Sequence, residues 1–231
     1  MRPYRADLRR RPAGHRVPRE RRGDRTRASG EDRGRGHRTA DRRFWLTSAV
    51  GDWEVRLIGS DGLTEGETAG VVALLRALVA GGAALGWVEP PPAAEVVALL
   101  DTLTAAVPSG DAAIALAVVP ADGGEEVAGF GYWRRYDRPT HRPNADLEKL
   151  AVDPDRQGLG LGRTLLTALI AAALRHRIEV LTLDLRGDNT RAAALYKKLG
   201  FHQYGRLDRF VAVGEARYDK LLYALDLREL R

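Results

Sequence analysis

Apolar residues recur along this chain with two different periods. Residues 53–59 (Trp-Glu-Val-Arg-Leu-Ile-Gly) alternate, the spacing of a strand with one buried face. Over residues 68–80, Val71, Leu74, Leu75 and Leu78 stand three and four apart and predict a helix, which Gly81-Gly82 stops. Pro90-Pro91-Pro92 opens a second helix with Val96, Val97, Leu100 and Leu103 on one face, and Pro108-Ser109-Gly110 breaks it. Two strands, 113–119 and 127–134, flank Asp122-Gly123-Gly124 and read as a hairpin. A polar loop over 137–144 leads to a strand at 146–152. A helix follows over 161–175, with Leu165, Leu166, Leu169, Ile170 and Leu174 inward. A strand at 180–185, a short helix at 191–199 stopped by Gly200, and two strands, 201–213 and 218–227, around Gly214 complete the pattern.

The order is β-α-α-β-β-β-α-β-α-β-β. It predicts an α+β fold: one mixed, mostly antiparallel sheet of about seven strands with helices on both sides. At 44% apolar and 29% charged residues, 231 residues are enough for one ordinary domain and a tail. There is no cysteine, and the five histidines make no ligand pair at helical or turn spacing, so no metal site is expected.

The net charge of +6 is a poor guide to partners. Residues 1–43 carry 16 of the 37 basic and 6 of the 31 acidic residues, and the remaining 188 sum to −4. The chain therefore divides into an Arg-rich extension, 1–43, expected to be disordered for want of aliphatic residues, and a mildly acidic domain, 44–231. Nucleic acid is not an expected partner once the extension is set aside. Met1 is the only methionine and arginine greatly outnumbers lysine, so a translation start at or near Val50 is a further expectation, which the native N-terminus would test. The longest apolar run, 69–88, is interrupted by Arg76, Gly81, Gly82 and Gly86, and no apolar core follows the N-terminal arginines. Neither membrane insertion nor secretion is expected, and a cytoplasmic location is.

The chemistry concentrates in Gln157-Gly158-Leu159-Gly160-Leu161-Gly162-Arg163, between a strand and a helix. Glycines let backbone N–H groups approach a ligand, and the helix start carries partial positive charge; together they suit a pyrophosphate. A dinucleotide fingerprint needs a third Gly or Ala where Arg163 or Leu165 stands, although Asp184 lies near the distance for a ribose carboxylate. The Gly-Lys-Ser/Thr of a nucleotide-triphosphate loop is absent.

On these residues the chain resembles the GNAT superfamily of acetyltransferases. Its cofactor motif, Arg/Gln-x-x-Gly-x-Gly/Ala, is met by Gln157, Gly160 and Gly162. The preceding strand Leu147-Glu-Lys-Leu-Ala-Val152, the linker Asp153-Pro-Asp-Arg156 and the segment from Asn189 through Ala194-Leu-Tyr-Lys-Lys-Leu-Gly-Phe201 are also similar to the family. The resemblance spans residues 53–227 and implies acetyl-CoA as co-substrate. It implies that Leu150, Ala151 and Val152 pair with pantetheine, that residues 157–163 hold the phosphates, and that Asn189 contacts the cofactor or caps its helix. A tyrosine at Tyr196 would protonate the departing thiolate, unless it is only a packing residue.

A general base is expected on the strand before the loop. Period-2 geometry puts Asp146, Glu148, Leu150 and Val152 on one face, with Glu148 as the first choice and Asp146 acting through water. Either carboxylate could instead hold a cationic substrate or an arginine. The linker over 79–87 and the ending around Gly205–Tyr218 look similar to the tabtoxin-resistance branch of the family. That points to the primary amine of a small, amino-acid-like molecule as acceptor, in a monomer or homodimer. A protein N-terminus or lysine is the enzymatic alternative. A non-catalytic acetyl-CoA sensor or a nucleic-acid-binding protein is the alternative outside enzymes.

Overall fold

In a computed structural model of the protein, residues 45–47 and 53–230 are described; the extension over 1–43 lies outside them. The strands are β1 (Trp45–Thr47), β2 (Glu54–Leu57), β3 (Ala112–Ala121), β4 (Gly124–Arg135), β5 (Asn144–Val152), β6 (Val180–Arg186), β7 (His202–Val213) and β8 (Ala216–Asp226). The helices are α1 (Glu65–Ala80), α2 (Ala93–Ala106), α3 (Leu161–Arg175) and α4 (Thr190–Lys198). The strands form one sheet in the order β1-β2-β3-β4-β5-β6-β8-β7, antiparallel throughout except for the parallel pair β5–β6. This is the expected α+β architecture with one strand more: β1 is three residues long, too short to give a periodic signal, and pairs on the β2 edge.

α1 begins three residues before its apolar period suggests. Thr64 and Glu67 close a capping box, each side chain accepting from the other residue's backbone N–H, and this fixes the start at Glu65. α3 occupies the residues its leucines predict.

The core lies on both faces of the sheet. On one face Val71, Leu74 and Leu75 of α1 and Val96, Leu100 and Leu103 of α2 pack on Ile114, Leu116, Val118, Phe130 and Tyr132. On the other, α3 and Tyr196 of α4 pack on Ala113, Ala115, Ala117, Trp133 and Leu147. β3 thus alternates large residues toward α1 and α2 with alanines toward α3. The small side lets α3 come close: a Cβ on Gly129 would lie 2.8 Å from Leu165 Cδ1. Leu165, Leu166 and Leu169 have no exposed surface, and each contributes about 1.5–3 kcal/mol of burial. Trp133 satisfies its buried Nε1–H by donating to Leu169 O at 3.0 Å, tying β4 to α3.

Candidate active site

Among the described residues β5 and β6 are the only parallel neighbours, and they stay together for three residue pairs, from Asn144–Val180 to Asp146–Thr182. Beyond that point β5 follows β4, β6 follows β8, and the sheet opens. A cleft of about 700 Å³ occupies the opening, lined by β5 from Asp146 to Val152, by Asp184 of β6, by Asn189 and Tyr196, and by the α1–α2 linker. Asp153 N–H donates to Ala128 O on β4, at 2.9 Å. Alternation along the strand turns the backbone groups of Val152 the other way, into the opening. Val152 O there accepts from Gln157 Nε2 at 3.4 Å.

A second depression, about 340 Å³, lies at the start of α3 and is lined by Gln157, Gly158, Gly160, Gly162 and Arg163 together with Leu150, Val152, Asn189 and Tyr196. Gly158 and Gly160 are left-handed, at φ +90° and +89°, and no atom stands within 4 Å of where either Cβ would be. The glycines are required by backbone conformation, and the space beside them is open to a ligand. Gly160 is the N-cap of α3 with no side-chain cap, so the first amides of the helix have no intrahelical partner and are available to an anion. Gln157 is fixed from the other side, its Oε1 accepting from Arg191 of α4. Leu161 is buried and anchors the helix start, whereas the Leu159 side chain is 55% exposed and does not line the depression.

β5 carries a bulge. Tyr132 pairs with Glu148 and Phe130 with Ala151, so Gly131 alone faces Lys149 and Leu150, and Lys149 takes a left-handed φ of 51°. The extra residue changes the phase of the strand. Ala145 and Leu147 point to the α3 side, as do Leu150 and Val152, while Ala151 packs on the α1–α2 side. The single face expected for Asp146, Glu148, Leu150 and Val152 is therefore corrected. The two carboxylates lie on the α1–α2 side, and Leu150 and Val152 lie on the side of the glycine loop.

Both oxygens of Glu148 are engaged: Oε2 accepts from Tyr132 OH and Oε1 from Arg134 Nε, each at 2.9 Å. Asp146 is held differently. Its Oδ1 accepts from Thr182 Oγ1 at 2.6 Å, and Thr182 in turn shares a hydrogen bond of 2.6 Å with Tyr136 OH. Burial pushes the Asp146 carboxyl up to about 6, against the Thr182 hydrogen bond, which favours the ionised form, and with help from the nearby Glu148 charge. Tyr196 is 7% exposed, packs edge-on to Phe201 at 5.7 Å, and lines both the cleft and the loop depression. Its burial pushes the phenol well above the usual range, so it keeps its proton at neutral pH. Asn189 caps α4, accepting from Ala192 N at 3.1 Å, while lining both spaces.

Two residues at the site, Thr182 behind Asp146 and Lys149 in the cleft, escaped the sequence reading, and Asp184 entered it only as a dinucleotide alternative. Thr182 is visible only through strand pairing. Asp184 forms an ion pair with Lys220 of β8 at 2.8 Å. Lys149 reaches across the cleft to the α1–α2 linker, donating to Leu85 O at 3.0 Å with its ammonium 3.9 Å from the centre of the Trp87 ring. The glycines and single tryptophan of that linker were the available signal, pointing to close approach without saying what approaches. Among the described residues no group of three or more His, Cys, Asp or Glu is placed to hold a metal ion. No described helix is long and apolar enough to cross a membrane.

Residues 87–201 match the model of the acetyltransferase (GNAT) family, a stretch running from the α1–α2 linker to the residue before β7. The chain is 37% identical over 83 residues to the [ribosomal protein bS18]-alanine N-acetyltransferase of Escherichia coli, covering 36% of this chain. It spans 56% of that relative's length. Among solved structures, yncA from Salmonella typhimurium with its cofactor acetyl-CoA superposes with a TM-score of 0.64 at 18% identity, over 77% of this chain and 95% of the other. A phosphinothricin acetyltransferase from Sinorhizobium meliloti in complex with acetyl-CoA superposes with a TM-score of 0.63 at 18% identity, over 76% and 88%.

Proposed function

Because the chain belongs to the acetyltransferase (GNAT) family, we propose that it transfers the acetyl group of acetyl-CoA to the primary amine of a small molecule. The observation that carries this reading is the continuity of two spaces. The glycine-loop depression and the opening between β5 and β6 share Leu150, Val152, Gln157, Asn189, Ala192 and Tyr196. A long ligand with an anionic head and an extended amide-bearing arm fits that path. The phosphates would meet the amides of residues 158–163, and the arm would meet the backbone of Leu150, Ala151 and Val152. Acetyl-CoA, when bound, supplies an activated thioester carbonyl.

The protein's own groups supply the rest. Asp146, ionised above pH 6 and held by the Thr182 hydroxyl without an ion pair, takes the proton that the acceptor ammonium must lose before it can attack. Glu148, tied to Tyr132 and Arg134, shapes the acceptor site and keeps a negative charge beside it. An N–C bond forms to the acceptor, the C–S bond breaks, and Tyr196 OH gives its proton to the leaving thiolate. A backbone N–H of β5 facing the opening is placed to stabilise negative charge on the carbonyl oxygen.

Binding is tested by calorimetry on the full chain with acetyl-CoA, CoA and NAD. Acetyl-CoA and CoA are expected to bind and NAD is not; NAD binding without acetyl-CoA binding would replace this reading with a dinucleotide enzyme. A second acceptor class, the amino terminus of a protein, is favoured by the name of the E. coli relative. Acetylation of an alanine-initiated peptide in preference to small amines would select it.

A further inference from the structure

Eight charged side chains line the cleft, and six of them neutralise one another: Arg134 with Glu148, Lys220 with Asp184, and Arg186 with Asp188. The remaining two are Asp146 and Lys149, and among the described residues neither has an ion-pair partner. Asp146 is bonded to a neutral hydroxyl, and Lys149 to a carbonyl and an aromatic face. Partly buried charges without a direct ion pair are costly, and here one of each sign stands in the same cavity.

We propose that Asp146 and Lys149 are the two ends of a receptor for a zwitterionic acceptor, a small free amino acid whose ammonium docks at Asp146 and whose carboxylate docks at Lys149. This rests on the acetyltransfer reading above and narrows it. The bulge brings both groups to the α1–α2 side of the sheet, since Lys149 reaches Leu85 and Trp87, which pack with the core on that side. The ammonium is held in place before any ligand arrives. One N–H is spent on Leu85 O, the Trp87 ring covers one side, and Trp87 is itself oriented by donating Nε1–H to Glu95 Oε1 at 2.7 Å. A Cβ on Gly86 would lie 3.5 Å from Lys149 Nζ, and Gly86 is left-handed at φ +88°, so the linker backbone is shaped around this amine. Burial draws the Lys149 ammonium below its ordinary range, a cost that an incoming carboxylate relieves. The same charge repels purely cationic amines, and an ester or peptide bond in place of the carboxylate leaves Lys149 without its partner.

The test uses the full-length protein, acetyl-CoA and thiol release across the twenty common L-amino acids, β-alanine and γ-aminobutyrate. Each acceptor found is compared with its methyl ester, and an alanine-initiated tripeptide is included. Free acids are expected to turn over, with kcat/KM about tenfold or more above their esters, the change that one charge-assisted hydrogen bond gives. Lys149→Met should raise the free acid's KM by a similar factor and bring acid and ester level, with the Kd for acetyl-CoA by calorimetry unchanged. Lys149→Arg should keep the preference for the acid, and serves if the Met variant does not fold. Esters or the tripeptide acetylated as well as free acids would overturn the inference, as would discrimination that survives Lys149→Met. Acetyl-CoA binding with no amino acid acetylated would overturn this inference alone, whereas failure to bind acetyl-CoA would remove the acetyltransfer reading with it.

Discussion

Replacing Asp146 by asparagine should stabilise the protein, and by an amount that depends on pH. The carboxyl titrates near 6 in the folded chain against an ordinary 3.8, chiefly because burial penalises its charge. Proton linkage then favours the fold fully below pH 3.8, and that contribution is lost as pH rises through 6. The gap corresponds to about 3 kcal/mol at pH 8 and about 1 kcal/mol at pH 4.5. Asparagine keeps an oxygen to accept from Thr182 and carries no charge to desolvate. Urea unfolding of both proteins at pH 4.5 and 8 should show the variant's advantage growing by about 2 kcal/mol across that range. Acetyl transfer should fall by 10²–10⁴-fold, the usual contribution of a general base. A difference independent of pH, or a variant less stable at pH 8, would refute the assignment of Asp146 as a strained, desolvated carboxylate.

Thr182→Val removes the hydrogen bond that favours the ionised form of Asp146, so the acidic limb of the kcat/KM profile, expected near pH 6, should move upward; an unmoved limb would separate Asp146 from the titration. Tyr196→Phe should lower kcat while leaving the Kd for acetyl-CoA within about twofold, because the ring packing survives and only the proton donor is lost; equal rates would reduce Tyr196 to a core residue. Gly160→Ala places a Cβ on a residue at φ +89°, at about 1–2 kcal/mol of strain, and should weaken acetyl-CoA binding by distorting the first turn of α3; unchanged affinity by calorimetry on the folded variant would refute this reading of the loop.

The parts of the fold carried by long periodic segments were legible before the structure. α3 has seven buried residues at helical spacing and a glycine start, and its limits agree with the sequence pattern. β1 has three residues and no period to read. The glycine loop announced itself through composition, because positive φ at Gly158 and Gly160 leaves few alternatives. The phase change in β5 did not. Asp-Leu-Glu-Lys-Leu-Ala-Val alternates well enough without a bulge, and the residue that stands opposite the bulge, Gly131, lies on the neighbouring strand. The sequence put Glu148 and Asp146 on one face but ranked Glu148 first, whereas their surroundings favour Asp146 as the base. Their difference comes from Thr182, Tyr132 and Arg134, all distant along the chain.

The single inserted residue in β5 also separates two kinds of change. In an unbroken strand the residues before and after position 149 would share their faces, so a substitution made to accommodate a new acceptor would press on the surface that faces the donor. With the phase reversed at Lys149, Asp146 and Glu148 project to one side of the sheet, and Leu150 and Val152 to the other. The acceptor wall can then vary while the donor cradle is inherited intact, and a deletion at 149 would lose both by merging them.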